Sequence, residues 1–379
     1  MSDRERNKRL VRELREESQR NSLPSALPGA SPFQIQTPLG SSFPDLLFHH
    51  LDGPDHASDD LMQMASGFPS QAMGPTFLSY GPMIADGDLV MEEWESFIFG
   101  SDGTVYNNQY CWTQRVADGR VVEVREFCDS HHAWVIFGNH GGWKDLQPPT
   151  KPRRRSRVIG AALAPPPLDD DELDNVLTVE DDFELDPRLL CDERPNSASS
   201  PISVEPGPEG NKALVRALRT ARAAGDIDAV NSFFGEGFRH FIAGEPPFGW
   251  DHLPLEQIYA PLVAHLAGPI RVRYGPPLAD GDTVFEEMEI FARLDDGTVY
   301  NNWHAVVHEV RDGRIVQTRE YLDTRHVWVV LGRWAPWGQV PTQPRRLPRR
   351  SNLQAIHCTT QTPTMFLDLE RWRDFGPPT

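Results

Sequence analysis

The feature that most constrains this chain is an internal repeat. Residues 280–332 align without a gap on residues 86–138 and agree at 27 of 53 positions. Both stretches carry Asp-Gly-Asp, Glu-Glu-x-Glu, Asp-Gly-Thr-Val-Tyr-Asn-Asn, Asp-Gly-Arg, Arg-Glu-aromatic-x-Asp and a closing His-x-Trp-Val-x-x-Gly. Agreement on that scale is not chance, so the chain reads as a tandem duplication in which one pattern must fold twice. The repeat reaches back to an amphipathic helix: residues 7–18, with Leu10, Val11 and Leu14 on one face, correspond to residues 211–224.

Within each repeat, apolar and polar residues alternate as in half-buried antiparallel strands, and Asp-Gly pairs at 102–103, 118–119, 296–297 and 312–313 mark hairpin turns. In the second repeat Asp226 caps a short helix ending near Phe233, 238–242 reads as a first strand, and 255–266 as a helix following Pro254. The first repeat has Pro24, Pro28 and Pro32 where that short helix would lie, and its 43–80 stretch is longer. Counting outward from two-residue turns sets Asn302 opposite Asp323, His304 opposite Tyr321, and Glu289 opposite His304, or opposite Asn302 if the 296–297 loop is longer. That register puts Glu287, Glu289, Tyr300, Asn302, His304, Tyr321 and Asp323 on one face, with Glu93, Glu95, Tyr106, Asn108, Tyr110, Phe127 and Asp129 as their first-repeat counterparts. Glu286 and Glu92 fall on the opposite face, as solvated or inter-domain charges. His326 and His132 fall on a last strand, whose alternation makes adjacent His131 and His132 a poor metal pair.

Charge locates the connections. The net charge is −18, and residues 169–209 hold fourteen acids against Arg188 and Arg194, leaving the folded parts mildly acidic. Nucleic acid is not an expected partner. The linker, about 162–210, is Pro- and acid-rich and is expected to be mostly disordered. Arginine clusters at 153–155 and 349–350 have the acidic linker as their simplest partner, tethered at high effective concentration. Four cysteines without paired spacing fit a reducing cytosol, and no run approaches a membrane span. The expected division is 7–156, a linker at 157–210, 211–343, and a tail at 344–379 containing a short helix near Trp372.

Helices followed by a curved antiparallel sheet with acids, an amide, His and Tyr on one face resemble the SnoaL-like branch of the NTF2-like superfamily. The residues that carry the likeness are Asp-Gly-Thr-Val-Tyr-Asn-Asn and Asp-Gly-Arg-Ile-Val-Gln-Thr-Arg-Glu-Tyr-Leu-Asp at 312–323. The resemblance implies an α+β fold of two cone-shaped domains, and an intramolecular pseudo-dimer made through the sheets. It also implies a pocket for a small, largely apolar molecule such as a polyketide, steroid or terpenoid. Against the superfamily's limonene-epoxide hydrolases, Asp323 and Asp129 match the final Asp. Glu289 and Glu95 replace the Asp of Arg-x-Asp, and Glu287 and Glu93 replace its Arg, so that catalytic triad is not carried over.

In an apolar pocket burial would favour the neutral form of Asp323, suiting a general base, while a Glu289–His304 pair could shuttle a proton. The expected site is therefore catalytic Asp323, His304 and Glu289. Tyr300, Asn302, Glu287 and Tyr321 bind substrate, with Asp129, Glu95, Asn108 and Tyr110 in the first repeat. The alternative for Asp323 is structural, held by Asn302 and Arg319. No cofactor motif, either Gly-rich or zinc-binding, is visible, so any chemistry is expected to be cofactor-free. The competing function is a scaffold acting through linker and tail.

Overall fold

A computed structural model describes residues 2–22, 47–50, 56–57, 73–100, 105–137, 180–190, 204–244, 248–249 and 254–335. The tail helix, the arginine clusters, the linker before residue 180 and the 23–46 stretch lie outside the described residues. Elements of the N-terminal half are α1 (Asp3–Ser22), β1 (Leu47–His50), β2 (His56–Ala57), β3 (Met73–Asp86), β4 (Leu89–Gly100), β5 (Val105–Ala117), β6 (Arg120–Cys128) and α2 (Ser130–Phe137). Next come β7 (Asp181–Leu185) and a 3₁₀ turn (Pro187–Leu190). The C-terminal half holds α3 (Pro208–Ala223), α4 (Ile227–Ser232), β8 (Phe234–Ile242), α5 (Leu255–Ala264), β9 (Ile270–Tyr274), β10 (Leu278–Asp280), β11 (Thr283–Arg293), β12 (Val299–Arg311), β13 (Arg314–Leu322) and α6 (Thr324–Leu331). Among the described residues no helix is long and apolar enough to cross a membrane.

The strands form two sheets, β2-β1-β6-β5-β4-β3 and β7-β9-β11-β12-β13-β8, with β10 also on β11. All pairs are antiparallel except β1–β6 and β13–β8. The amphipathic faces of α1 and α3 explain the helix layer. Leu214, Val215 and Leu218 are fully buried against the C-terminal sheet, at roughly 1.5–3 kcal/mol each, and Val11 sits in the equivalent N-terminal core. Asn7 Nδ2 and Asn211 Nδ2 donate to the carbonyls of Gly87 and Gly281, pinning each helix to a β-turn. Asp226 caps α4 through the backbone N–H of Ala229, as expected.

The register differs from the one counted from the turns. At Asp312-Gly313 both residues have positive φ, as a two-residue hairpin requires, and Arg311 faces Arg314. A β-bulge between Glu309 and Val310 then shifts the pairing by one, so Ala305 faces Tyr321 and His304 faces Leu322. The other hairpin closes on Arg293 and Val299, a longer loop than two residues, placing Glu289 opposite Trp303 and Met288 opposite His304. Because side chains alternate, these shifts split the expected single face. Tyr300, Asn302 and His304 face the helices together with Glu286, whereas Glu287, Glu289 and Tyr321 face the other sheet. Both shifts recur in the N-terminal half, a bulge between Arg115 and Val116 and a hairpin closing on Phe99 and Val105, so Phe127, Glu93 and Glu95 also turn toward the other sheet.

Two further expectations are corrected, and part of the linker joins the fold. Glu286 and Glu92 are buried, not solvated, and each meets an arginine from its helix layer, Arg219 and Arg15. The last repeated segment is a helix in both halves, not a strand. Asp323 Oδ1 accepts the N–H of His326, and Asp129 Oδ1 that of His132, satisfying donors that a helix start leaves open. Part of the linker is ordered: β7 pairs along β9, and Leu185, Leu189 and Leu190 join the C-terminal core. Its acids bond Arg216, Arg219, Arg271 and Arg273.

Between the sheets lies an apolar layer including Met91, Cys111, Phe127, Phe285, Trp303, Ala305, Val307 and Tyr321. Arg319 forks onto Glu93 at 2.7 and 2.8 Å, and Tyr321 Oη donates to Glu93 at 2.7 Å. Glu287 accepts from Thr113 and pairs with Arg125, both at 2.9 Å. Crossed ion pairs join Lys212 to Asp86 at 2.8 Å and Lys8 to Asp280.

Candidate functional site

The interior face of the C-terminal sheet carries a row of polar groups across three adjacent strands. His304 on β12 is wholly buried, and its Nδ1 lies 2.5 Å from Glu320 Oε1 on β13. The second oxygen of Glu320 lies 3.1 Å from His240 Nε2 on the edge strand β8. Burial works against the charge on Glu320, but hydrogen bonds from His240 and His304 outweigh it and hold the carboxyl below the usual carboxylate range. At its far end, His304 Nε2 is buried and has no hydrogen-bond partner among the described residues. Since Nδ1 faces a carboxylate, the proton of the neutral ring sits on Nδ1 and Nε2 is then the acceptor. Met288, opposite His304 on β11, and Leu322, opposite it on β13, flank the imidazole with apolar groups.

The same face carries Tyr300 and Asn302. Asn302 Nδ2 donates to Tyr300 Oη at 3.3 Å and to the carbonyl of Asp323 at 3.1 Å, while its Oδ1 accepts the Asp323 N–H at 3.2 Å. Asn302 is thus committed to fixing the β13–α6 corner. Asp323, expected as the base, is buried at that corner, where its Oδ1 accepts from His326 N–H at 2.8 Å and Ser130 Oγ at 2.5 Å. Asp129 accepts reciprocally from Thr324 Oγ1 at 2.6 Å. The expected structural partner Arg319 instead lies between the sheets on Glu93. Glu289, expected beside His304, faces the other way and accepts from Asn301 Nδ2 at 2.8 Å. Burial raises the carboxyl of Glu287 above its ordinary range, against the opposing pull of Arg125 and Thr113.

A second buried row lies on this face. Arg219 donates to Glu286 at 2.9 Å, His308 Nε2 lies 3.3 Å from Glu286, and His308 Nδ1 lies 3.0 Å from Thr318 Oγ1. Burial pushes the Glu286 carboxyl up, yet Arg219 and His308 together bring it down to about 2. Both imidazole nitrogens of His308 have partners, so this row fastens α3 to the sheet.

In the N-terminal half the corresponding positions carry different groups. Tyr110 stands where His304 stands, stacked on Trp94 with ring centroids 3.8 Å apart and its hydroxyl 2.6 Å from Tyr106 Oη. Glu126, the counterpart of Glu320, accepts from Trp112 Nε1 at 2.7 Å, and Phe48 holds the register position of His240. Asn108 binds Tyr106 Oη and the Asp129 carbonyl, and Glu95 accepts from Gln109 on the sheet-facing side.

Of the residues expected from sequence, the structure brings Tyr300, Asn302 and His304 together on one face. It sends Glu287, Glu289 and Tyr321 to the other and seats Asp323 in a helix cap. Glu320 and His240 were missed. Glu320 lies inside the repeated Arg-Glu-aromatic-x-Asp motif, so its position was visible, but the bulge that turns it inward has no marker in the sequence.

Residues 215–318, which include His240 and His304, match the family model of the SnoaL-like domain. Among solved structures, an NTF2-like protein of unknown function from Burkholderia pseudomallei K96243 is 19% identical. The match covers 36% of this chain and 98% of that one, with a TM-score of 0.28. An NTF2-like protein from Burkholderia xenovorans LB400 is 20% identical over 34% of this chain and 99% of its own, with a TM-score of 0.26. An LEH-like epoxide hydrolase from M. tuberculosis is 14% identical over 34% and 87%, with a TM-score of 0.26. No curated protein matches the chain.

Proposed function

We propose, from the match of residues 215–318 to the SnoaL-like domain, that the C-terminal half binds a small, largely apolar metabolite. There it performs cofactor-free acid/base chemistry of the isomerase, cyclase, dehydratase or hydrolase type. His304 Nε2 is the atom that takes and returns the proton. Glu320 fixes the ring tautomer through Nδ1 and stabilises the imidazolium formed after proton abstraction. Tyr300 Oη, on the same face, is placed to position a substrate oxygen. Asp323 and Glu289 hold the frame in place. The observation that carries this reading is the wholly buried His304, held by a carboxylate at one nitrogen and, among the described residues, without a partner at the other. An unpaired polar atom in a buried site costs stability, so its retention favours use.

On this reading the chain is a tandem pair of cone-shaped domains whose sheets pack as an intramolecular pseudo-dimer. The contacts from Arg319 to Glu93 and from Arg125 to Glu287 support that arrangement. The N-terminal half is the scaffold member, since the Tyr110–Trp94 stack replaces the imidazole and Met288.

The test is proton exchange at carbon. A panel of polycyclic aromatic ketones is incubated with the full chain in D₂O, and deuterium uptake at the acidic C–H is followed by mass spectrometry. Uptake should fall by roughly 10²–10⁴ with His304→Gln. Absence of any uptake across the panel, together with unmoved His304 ring resonances, would overturn the reading.

A further inference from the structure

The segment seated on the C-terminal sheet edge has a second copy twelve residues upstream. Residues 181–189 read Asp-Asp-Phe-Glu-Leu-Asp-Pro-Arg-Leu and residues 169–177 read Asp-Asp-Asp-Glu-Leu-Asp-Asn-Val-Leu, identical at six of nine positions. Five of the six shared residues make a defined contact in the seated copy. Asp181 accepts from Arg219 at 2.9 Å, and Asp182 accepts from Arg271 at 2.7 Å. Leu185 and Leu189 are buried in the core, and the Asp186 carbonyl starts the 3₁₀ turn by accepting the Leu189 N–H at 2.9 Å. This is strand addition: main-chain pairing along β9 with alternate side chains read by the groove.

The N-terminal half presents the same edge. Tyr80 on β3 pairs with Trp94 as Tyr274 on β9 pairs with Met288, and among the described residues no strand lies beyond β3. Arg15 sits over the Tyr80 ring at 4.2 Å and binds Glu92, as Arg219 sits over Tyr274 at 4.6 Å and binds Glu286. Arg12 occupies on α1 the place that Arg216, the partner of Glu180, occupies on α3. Seated alike, Asp169 and Asp171 would point to the side of Arg12 and Arg15. Phe77 and Ser79 stand where Arg271 and Arg273 stand, so this slot has two arginines instead of four and should bind more weakly.

One chain does not reach both seats. The Ala85 N–H to Asp280 and Ala279 N–H to Asp86 contacts run the end of β3 antiparallel to β10, so the two edges diverge from there. A seated 169–173 would end opposite residue 76, on the order of 40 Å along the strands from Tyr274. The eight steps from residue 173 to Asp181 span at most roughly 28 Å.

We infer that the β3 edge, with Arg12 and Arg15, is a docking slot for the 169–177 segment of a second copy of this chain, making a weak, salt-sensitive association between molecules.

Disulfide trapping tests occupant and register together. Arg273 faces Asp182 in the seated copy, so Ser79 should face Asp170. A Ser79→Cys chain is mixed with a differently tagged Asp170→Cys chain, both in a Cys191→Ser/Cys358→Ser background, under mild oxidation. Arg273→Cys/Asp182→Cys in one chain is the positive control. A disulfide-linked heterodimer is expected. Failure to form it while the control cross-links overturns the inference. So does an intramolecular disulfide, and none between chains, in a chain carrying both Ser79→Cys and Asp170→Cys. Light scattering on the otherwise unmodified chain should show self-association weakened at least about tenfold by Asp169→Lys/Asp171→Lys. Self-association unchanged by that pair also overturns the inference.

Discussion

Glu92 and Glu286 occupy the same register position in the two sheets, each buried and each facing a helix arginine, yet burial settles them oppositely. Desolvation pushes the Glu92 carboxyl up to about 7 despite Arg15 and Arg12, while Glu286 is held at about 2. The difference lies in the neighbours. Glu286 has a fully buried Arg219 and the imidazole of His308, where Glu92 has the partly exposed Arg15 and neutral Gln114 at the His308 position. For Glu92 the folded value stands above the ordinary 4.5. The unfolded chain therefore releases this proton first as pH rises, and stability falls from about pH 4.5 to about 7 before levelling. At ~1.4 kcal/mol for each pH unit, the gap amounts to about 3 kcal/mol. Glu92→Gln should therefore match the native protein near pH 4 and exceed it by up to about 3 kcal/mol at pH 8, read as urea midpoints across that range. A Glu92→Gln effect of equal size at pH 4 and pH 8 would refute the reasoning, because only an ionising group separates those conditions.

Glu286→Gln should do the reverse, removing stability that is present above about pH 4.5 and is lost as acid titrates the carboxyl toward 2; denaturant midpoints at pH 3 and pH 7 check it. Arg319→Met strands Glu93 between the sheets and should cost about 3–5 kcal/mol, with much of the loss recovered by adding Glu93→Met; a double-mutant cycle reads both. Asp323→Ala removes a helix cap and the Ser130 bond, at about 1–2 kcal/mol by thermal melting, while leaving the His304 ring resonances in place. Leu189→Ala should cost about 2–5 kcal/mol and raise protease sensitivity of the 180–190 segment, since that leucine anchors it in the core.

The candidate site was partly legible and misassembled. His304, Tyr300 and Asn302 were placed on one interior face by alternation, and that held because all three sit on the same strand, where period two needs no knowledge of a partner. Glu289 and Tyr321 were misplaced because cross-strand assignments require a register, and one extra residue inverts the face of every side chain beyond it. Glu320 was hidden by the same bulge. His326 was read onto a strand because Val-Trp-Val-Val favours β structure locally, whereas the Asp323 cap and the buried face of α6 favour helix. The 180–190 segment lies in a linker whose acid-rich composition points to mostly disordered chain, and the composition does not mark it out. Four arginines from two elements neutralise those acids, and three leucines find the core.

The sequence by itself determined the helix layer, the hairpins at Asp118-Gly119 and Asp312-Gly313, and the α+β class. These follow from short-range rules: 3.6-residue periodicity, capping side chains, and positive φ at Asp-Gly. Tertiary structure alone decided which carboxylate meets which imidazole, that Glu93 and Glu287 are buried opposite Arg319 and Arg125, and that part of an acidic linker becomes a strand. Those outcomes depend on groups separated by tens to hundreds of residues. Their energies come from burial and charge pairing across elements, for which no local pattern in the chain provides a measure.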